Sequence, residues 1–388
     1  MRTFSFVIVC TLFIIGSCQQ PSATQQTSYN QDEAKELLKL SAGAYSLKPS
    51  PCVARTFTPD QNYTMYDFAS PQCDNGGNTC SFYSLVSVKE RKIILVFRGT
   101  DTSDQLLREG ITTLAGGVDF YGFGKVHKYF FKAHNTLWSS VVKIFEVPEY
   151  QDFNLVVTGH SLGGALAALA SMRVQIEGYK TSDKIRLVTF GEPRVGTVSF
   201  SQNFDRLVPN SFRVVHSKDI IPHLPPCKKD DNSPLNDAKT DSKACDPNGG
   251  EFPYHHGTEI WYANGFKETD TFKECLGNPK NEDMTCSDLL KYPLNQYEDF
   301  MTIHRHYFNH KVVSWGYLGC QEGLEATEEL ISNESDVAIY NNSAYPYTSA
   351  EGIVATTKTN KIGNIDFTGV NNWFKNTITD IKSIFTWG

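Results

Sequence analysis

One serine in this sequence stands where a hydroxyl can become a nucleophile. Ser161 lies in Thr158-Gly159-His160-Ser161-Leu162-Gly163-Gly164, after the apolar run Phe153-Asn154-Leu155-Val156-Val157 and before the Ala-rich run Ala165 to Ala170. The pattern reads strand, tight turn, helix, with Ser161 at the turn. That is the context in which G-x-S-x-G acts as a nucleophile elbow. Gly159 and Gly163 leave room for so sharp a turn. The helix N-terminus brings free N–H groups and a positive dipole to the reacting carbonyl.

A serine hydroxyl is a poor nucleophile until a base takes its proton, and the base needs an acid to orient it. Asp219 follows the strand-like run Phe212-Arg213-Val214-Val215-His216 and is the favoured acid; Asp205 precedes that strand and is less well placed. The histidines beyond Asp219 are His223, His255, His256, His304, His306 and His310. His223 is too close in sequence and sits among prolines. A base from a late loop favours the pair His304 and His306, with His255-His256 competing. An oxyanion hole needs the amide after the nucleophile, Leu162, and a second donor after an earlier strand, which by position is Thr100. One such donor is worth about 2.7–4 kcal/mol of barrier.

The elements that must hold these groups can be read from periodicity. Asp32 to Tyr45 has apolar positions at near-helical spacing. Residues 50–80 look like loop, in which Cys73 and Cys80 can form a local clip. Ser84–Val88 alternates and Ile93–Phe97 is continuously apolar, so a hairpin is expected whose second strand is buried on both faces. Residues 124–146 read as helix, Ile185–Phe190 and Phe212–His216 as strands, and Glu259–Tyr262 as an outer strand. Residues 225–254 form a polar excursion, and helix is expected around Tyr297 to Met301. Strands alternating with helices imply a mostly parallel sheet covered on both faces.

The 388 residues carry a net charge of −7, which gives no reason to expect a nucleic-acid partner. Residues 1–18 read as a signal peptide: Arg2, then an almost wholly apolar Phe4 to Gly16, then small residues. The run is short for a membrane span, so no transmembrane segment is expected in the mature chain. Residues 19–30 look like a flexible leader. Two of the ten cysteines fall in the signal; Cys52, Cys73, Cys80, Cys227, Cys245, Cys275, Cys286 and Cys320 remain, an even set suited to an oxidising, extracellular or lumenal compartment. Spacing alone leaves their pairing open, and no metal-site spacing is seen. Sequons at Asn62, Asn333 and Asn341 fit a secreted glycoprotein.

Five ordered stretches together resemble the class 3, fungal-type triacylglycerol lipases of the α/β-hydrolase fold. They are Phe97-Arg98-Gly99-Thr100; Val126-His127; Gly159 to Ala167; Thr189-Phe190-Gly191-Glu192-Pro193-Arg194-Val195-Gly196; and Asp219-Ile220-Ile221-Pro222-His223-Leu224-Pro225. The outer strand and Tyr307-Phe308 also look familial, so the resemblance spans about residues 30–320, with a domain at 31–320. It implies Ser161 as nucleophile, Asp219 as acid, and Thr100 and Leu162 as oxyanion donors. The family's His-x-x-Tyr-Phe puts His304 in register as base, with His306 as the alternative. It implies a lid at about 101–118, with Leu106, Leu107, Ile111 and Leu114 as its apolar face. It also implies Cys52–Cys320 and Cys275–Cys286 bridges, leaving Cys73–Cys80 and Cys227–Cys245.

The tail, 321–388, departs from the family. Within 367–388, Val370, Trp373, Phe374, Ile378, Ile381, Ile384 and Phe385 share one helical face, which suits peripheral contact with lipid. The resemblance thus implies a secreted serine lipase or carboxylesterase, free of cofactor and metal, acting on lipid esters at an interface. Phospholipase A1 or another carboxylesterase activity fits the same fold. A catalytically inactive lipid-binding protein is the remaining alternative, which the complete set of reactive groups argues against.

Overall fold

The computed structural model describes residues 27–73, 78–100, 117–267 and 270–323. The signal sequence, most of the lid segment, the tail beyond residue 323 and the sequons at Asn333 and Asn341 lie outside them.

Eight strands form the main sheet: β1 (Thr64–Ala69), β2 (Phe82–Ser87), β3 (Lys92–Phe97), β4 (Asn154–His160), β5 (Ile185–Phe190), β6 (Ser211–His216), β7 (Thr258–Tyr262) and β8 (Lys273–Cys275). Their order in space is their order in sequence. From β3 to β7 neighbours run parallel; β1–β2, β2–β3 and β7–β8 are antiparallel. Among the described residues the α-helices are α1 (Gln31–Gly43), α2 (Ser50–Thr56), α3 (Lys128–Val141), α4 (Leu162–Ile176), α5 (Val198–Leu207), α6 (Tyr297–His304) and α7 (Val312–Tyr317).

The period-2 alternation of a strand sends its side chains to two different cores. Ile93, Leu95 and Phe97 of β3 join Phe130, Leu137, Leu166, Leu169 and Phe204 on the face covered by α3, α4 and α5. Ile94 and Val96 join Leu37, Leu40, Val312 and Trp315 on the face covered by α1 and α7. A strand buried on both faces has to be continuously apolar, as β3 is.

Several segments differ from the sequence reading. The 50–80 stretch holds α2 and β1. Its helix is only seven residues long and its strand is half exposed at the sheet edge, so neither shows an apolar period. The helix expected from residue 124 begins at Lys128, because Lys125–Val126 pairs as a short strand with Val118–Asp119. Glu259–Tyr262 is not outermost: the polar three-residue β8 pairs along its outer side. Residues 27–30, part of the expected leader, pack on the sheet. The Tyr29 hydroxyl lies 3.0 Å from that of Tyr262, and the Asn30 side chain caps α1. The α5 helix went unread; its signal is the Thr197 N-cap followed by Val198, Phe200 and Phe204 on a buried face.

Four disulfides join Cys52 to Cys320, Cys73 to Cys80, Cys227 to Cys245 and Cys275 to Cys286. The first links α2 to the chain beyond α7, closing the two ends of the domain on each other.

Candidate active site

Ser161 occupies the turn between β4 and α4 with φ 61° and ψ −129°. A non-glycine residue in that region is strained, and it persists only where its surroundings fix it. Here the Ser161 amide donates to the Phe190 carbonyl at 2.8 Å, and the Gly164 amide donates to the Ser161 carbonyl at 2.9 Å. The helix that follows must pass close to the sheet. A Cβ on Gly163 would collide with the Phe97 carbonyl oxygen, so only glycine fits there. Leu162 opens α4, so its amide has no acceptor one turn back and is free to donate elsewhere.

Asp219 sits just beyond β6, fully buried. Its carboxylate accepts from the Ile221 amide at 2.9 Å, the Tyr307 hydroxyl at 2.6 Å and His304 Nδ1 at 2.8 Å. Burial alone would raise its pKa. The adjacent His304, through charge and hydrogen bond, together with the Tyr307 and Ile221 donors, holds it below the usual carboxylate value instead. An ionised acceptor on Nδ1 fixes the imidazole tautomer: Nδ1 carries the proton and Nε2 carries a lone pair. His304 Nε2 and Ser161 Oγ are both buried, and neither has a hydrogen-bond partner among the described residues.

The backbone around His304 is pinned from below. His216 Nδ1, at the end of β6, lies 3.1 Å from the Ile303 carbonyl and 2.6 Å from the His306 carbonyl. Helix α6 ends at His304 and the chain turns into the short strand His306–Tyr307. His306 therefore faces away: its Nδ1 bonds the Thr302 carbonyl at 2.7 Å. Gly191 lies against the pair with φ 57°. A Cβ there would come within 2.7 Å of Asp219 Oδ2 and 2.8 Å of the His304 ring. The sequence reading missed Gly191, although its position directly after an apolar strand is the kind of signal that marks a close approach.

Thr100 ends the described part of its loop, three residues past β3. The parallel register sets Phe97 beside Gly159, so Arg98, Gly99 and Thr100 continue alongside the elbow. The other sequence candidates are engaged elsewhere. Asp205 accepts from the Gly257 amide and the Asn281 side chain. His255 bonds the Pro222 carbonyl, His256 lies 3.1 Å from Glu192, and His223 lies 3.3 Å from Asp288. His310 stacks on Trp315. The two groupings of three metal-capable side chains found among the described residues, Glu259 with Cys275 and Cys286 and Cys245 with Glu282 and Asp288, each include a cysteine already bound in a disulfide.

Comparison with known proteins agrees with this architecture. The family described as Lipase (class 3) matches residues 94–229, which hold most of β3, the elbow and Asp219. A lipase of Caenorhabditis elegans is 45% identical over 321 residues, covering 82% of this chain and 90% of that protein. The chain belongs to the class 3 lipase family. It is a serine ester hydrolase of the triacylglycerol lipase type, on an α/β-hydrolase fold. A Rhizopus niveus lipase is 33% identical over 150 residues, 37% of each chain. Among solved structures, a Rhizomucor miehei lipase–propeptide complex superposes with a TM-score of 0.54 at 23% identity, covering 73% of this chain and 81% of that one. The Yarrowia lipolytica lipase LIP2 gives 0.54 at 19%, covering 74% and 97%. At those identities the superpositions speak for the fold.

Proposed function

We propose that this class 3 lipase is secreted and hydrolyses acylglycerol esters at a lipid–water interface through a Ser161–His304–Asp219 triad. The observation that carries the assignment is the buried, ionised Asp219 on His304 Nδ1, which leaves Nε2 basic and unpaired in the same site as an unpaired Ser161 Oγ.

In this reading Ser161 Oγ attacks the ester carbonyl as its proton passes to His304 Nε2. The Leu162 and Thr100 amides stabilise the tetrahedral oxyanion. Asp219 stabilises the imidazolium, which then protonates the departing alcohol. Water attacks the acyl-enzyme by the same route in reverse and releases a fatty acid. The segment at 101–118 serves as a lid, and 367–388 as a helix that seats the enzyme on lipid. Four disulfides and the apolar N-terminal run support secretion. Asn62, exposed in a turn, is the glycosylation candidate that the described residues include; Asn333 and Asn341 are proposed with it.

The test is an acyl-length series of glyceride, phospholipid and aromatic esters, each below and above its aggregation threshold. Triglyceride turnover that rises sharply once the substrate aggregates supports the reading. Preference for monomeric aromatic esters or for phospholipid at every concentration replaces the substrate assignment.

A further inference from the structure

The residue before Ser161 in the elbow, His160, has an environment that its neighbour's chemistry does not require. Thr158 and His160 point to the same face of β4. Ser41 in the last turn of α1 and Tyr45, two residues beyond its end, both reach this face. The Ser41 hydroxyl lies 3.1 Å from that of Thr158, and the Tyr45 hydroxyl lies 2.8 Å from His160 Nδ1. On its other side, His160 Nε2 lies 3.0 Å from the His304 carbonyl oxygen, and the two imidazoles stack with centroids 4.7 Å apart at 24°.

A carbonyl only accepts, so Nε2 bears the proton, and Nδ1 accepts from the tyrosine. In this neutral form both nitrogens are satisfied. Burial, and then the nearby His304, lower the pKa of His160 to about 3, so the ring is uncharged at working pH. The ionisable groups facing it are Tyr45 from the end of α1, His304 from the end of α6, Tyr307 from the strand after it, and Asp219 from the loop after β6. The same tyrosine hydroxyl occupies the space that a Cβ on Gly99, next to Thr100, would need.

We propose that His160, braced by Tyr45, is a positioning residue that holds the backbone and ring of His304 in line with Ser161. This rests on His304 being the base. The pair ties α1, the elbow, the oxyanion loop and the base into one unit, and does so without a second positive charge beside the imidazolium that forms in the reaction. Misplacing a catalytic group by about 1 Å costs on the order of a hundredfold in rate.

The experiment measures kcat, KM and melting temperature on a soluble short-chain p-nitrophenyl ester. The full-length enzyme is compared with His160→Leu, His160→Gln, Tyr45→Phe and the reference His304→Ala. Activity retained in His304→Ala removes the base assignment itself and leaves the positioning claim without an object. With that reference inactive, His160→Leu should lose about a hundredfold in kcat at unchanged KM. His160→Gln keeps an N–H near the position of Nε2 and should recover at least tenfold of that loss. Tyr45→Phe, which removes one hydroxyl, should lose about fivefold in kcat. If His160→Leu does not fold, Tyr45→Phe and His160→Gln decide alone. Wild-type kcat in Tyr45→Phe, or equal kcat in the Leu and Gln variants, overturns the proposal.

Discussion

Two buried charged clusters lie behind the C-terminal ends of β5 and β6, and they are finished differently. Around Arg194 every nitrogen is matched. Nε and Nη2 form a forked pair with Glu282 at 2.7 and 2.6 Å, Nη2 also lies 3.5 Å from Asp288, and Nη1 donates to the carbonyls of His223 and Pro225. Around Asp219 the carboxylate is equally well served, but the chain of bonds stops short: His304 Nε2 and Ser161 Oγ are left open. A saturated buried ion pair fixes geometry, and an open pair of a base and a hydroxyl can react. The Arg194 cluster fastens the disulfide-bonded 225–290 region against the sheet. From there the Asp219 loop, His223 and Pro225 take their shape.

The contrast can be broken at either end. Ser161→Ala should lower kcat by at least about 10⁴-fold with no loss of melting temperature, because it removes the proposed nucleophile and adds no unpaired buried group. Asp219→Asn should cost about 10⁴-fold in kcat by loosening the His304 tautomer. Arg194→Met acts on the saturated cluster. By stranding Glu282 and Asp288 it should cost about 3–5 kcal/mol in denaturant unfolding, while the fraction still folded keeps kcat within a fewfold of wild type. Loss of kcat without loss of stability there would reverse the roles assigned to the two clusters.

A smaller effect concerns burial without bonding. His134 is fully buried near Phe120 and Trp138, neither ring nitrogen has a partner among the described residues, and burial followed by Arg173 lowers its pKa to about 3. The unfolded chain takes up that proton near pH 6.5 and the folded one does not, so stability falls as pH drops from about 6.5 towards 3. His160 works in the same direction over the same window. Asp219, whose folded pKa is depressed, adds its loss only at lower pH, as the carboxylate protonates. His134→Phe should therefore flatten the stability–pH slope between pH 6 and 4 by about 1 kcal/mol per pH unit, without changing kcat at pH 7. An unchanged slope means that His134 is hydrated or bonded in solution. The smallest expected effect is His306→Ala, with kcat within about twofold of wild type, because among the described residues that ring bonds only the Thr302 carbonyl.

What the sequence made legible follows how local each signal is. The elbow was readable because strand, turn, nucleophile and helix are contiguous. Asp219 was readable because it sits one short turn beyond an apolar strand. His304 and His306 could not be separated on the residues alone, since both belong to one short loop. The proposed choice of His304 rests on α6 ending there and on His216 gripping the carbonyls to either side. The Arg194 cluster was invisible: Arg194, His223, Glu282 and Asp288 span more than ninety positions with no common period. The edge strands β1 and β8 were missed for a related reason. Half-exposed or three residues long, they carry no alternation strong enough to read.

Activation of Ser161 by His304 can be read out by covalent labelling. Native enzyme is treated with a fluorophosphonate that mimics the tetrahedral ester intermediate, then digested and mapped by mass. A single stoichiometric adduct is expected on the peptide bearing Ser161, absent after denaturation and slowed by orders of magnitude in His304→Ala. An adduct on another residue, or ester turnover that persists with Ser161 unlabelled, would contradict it.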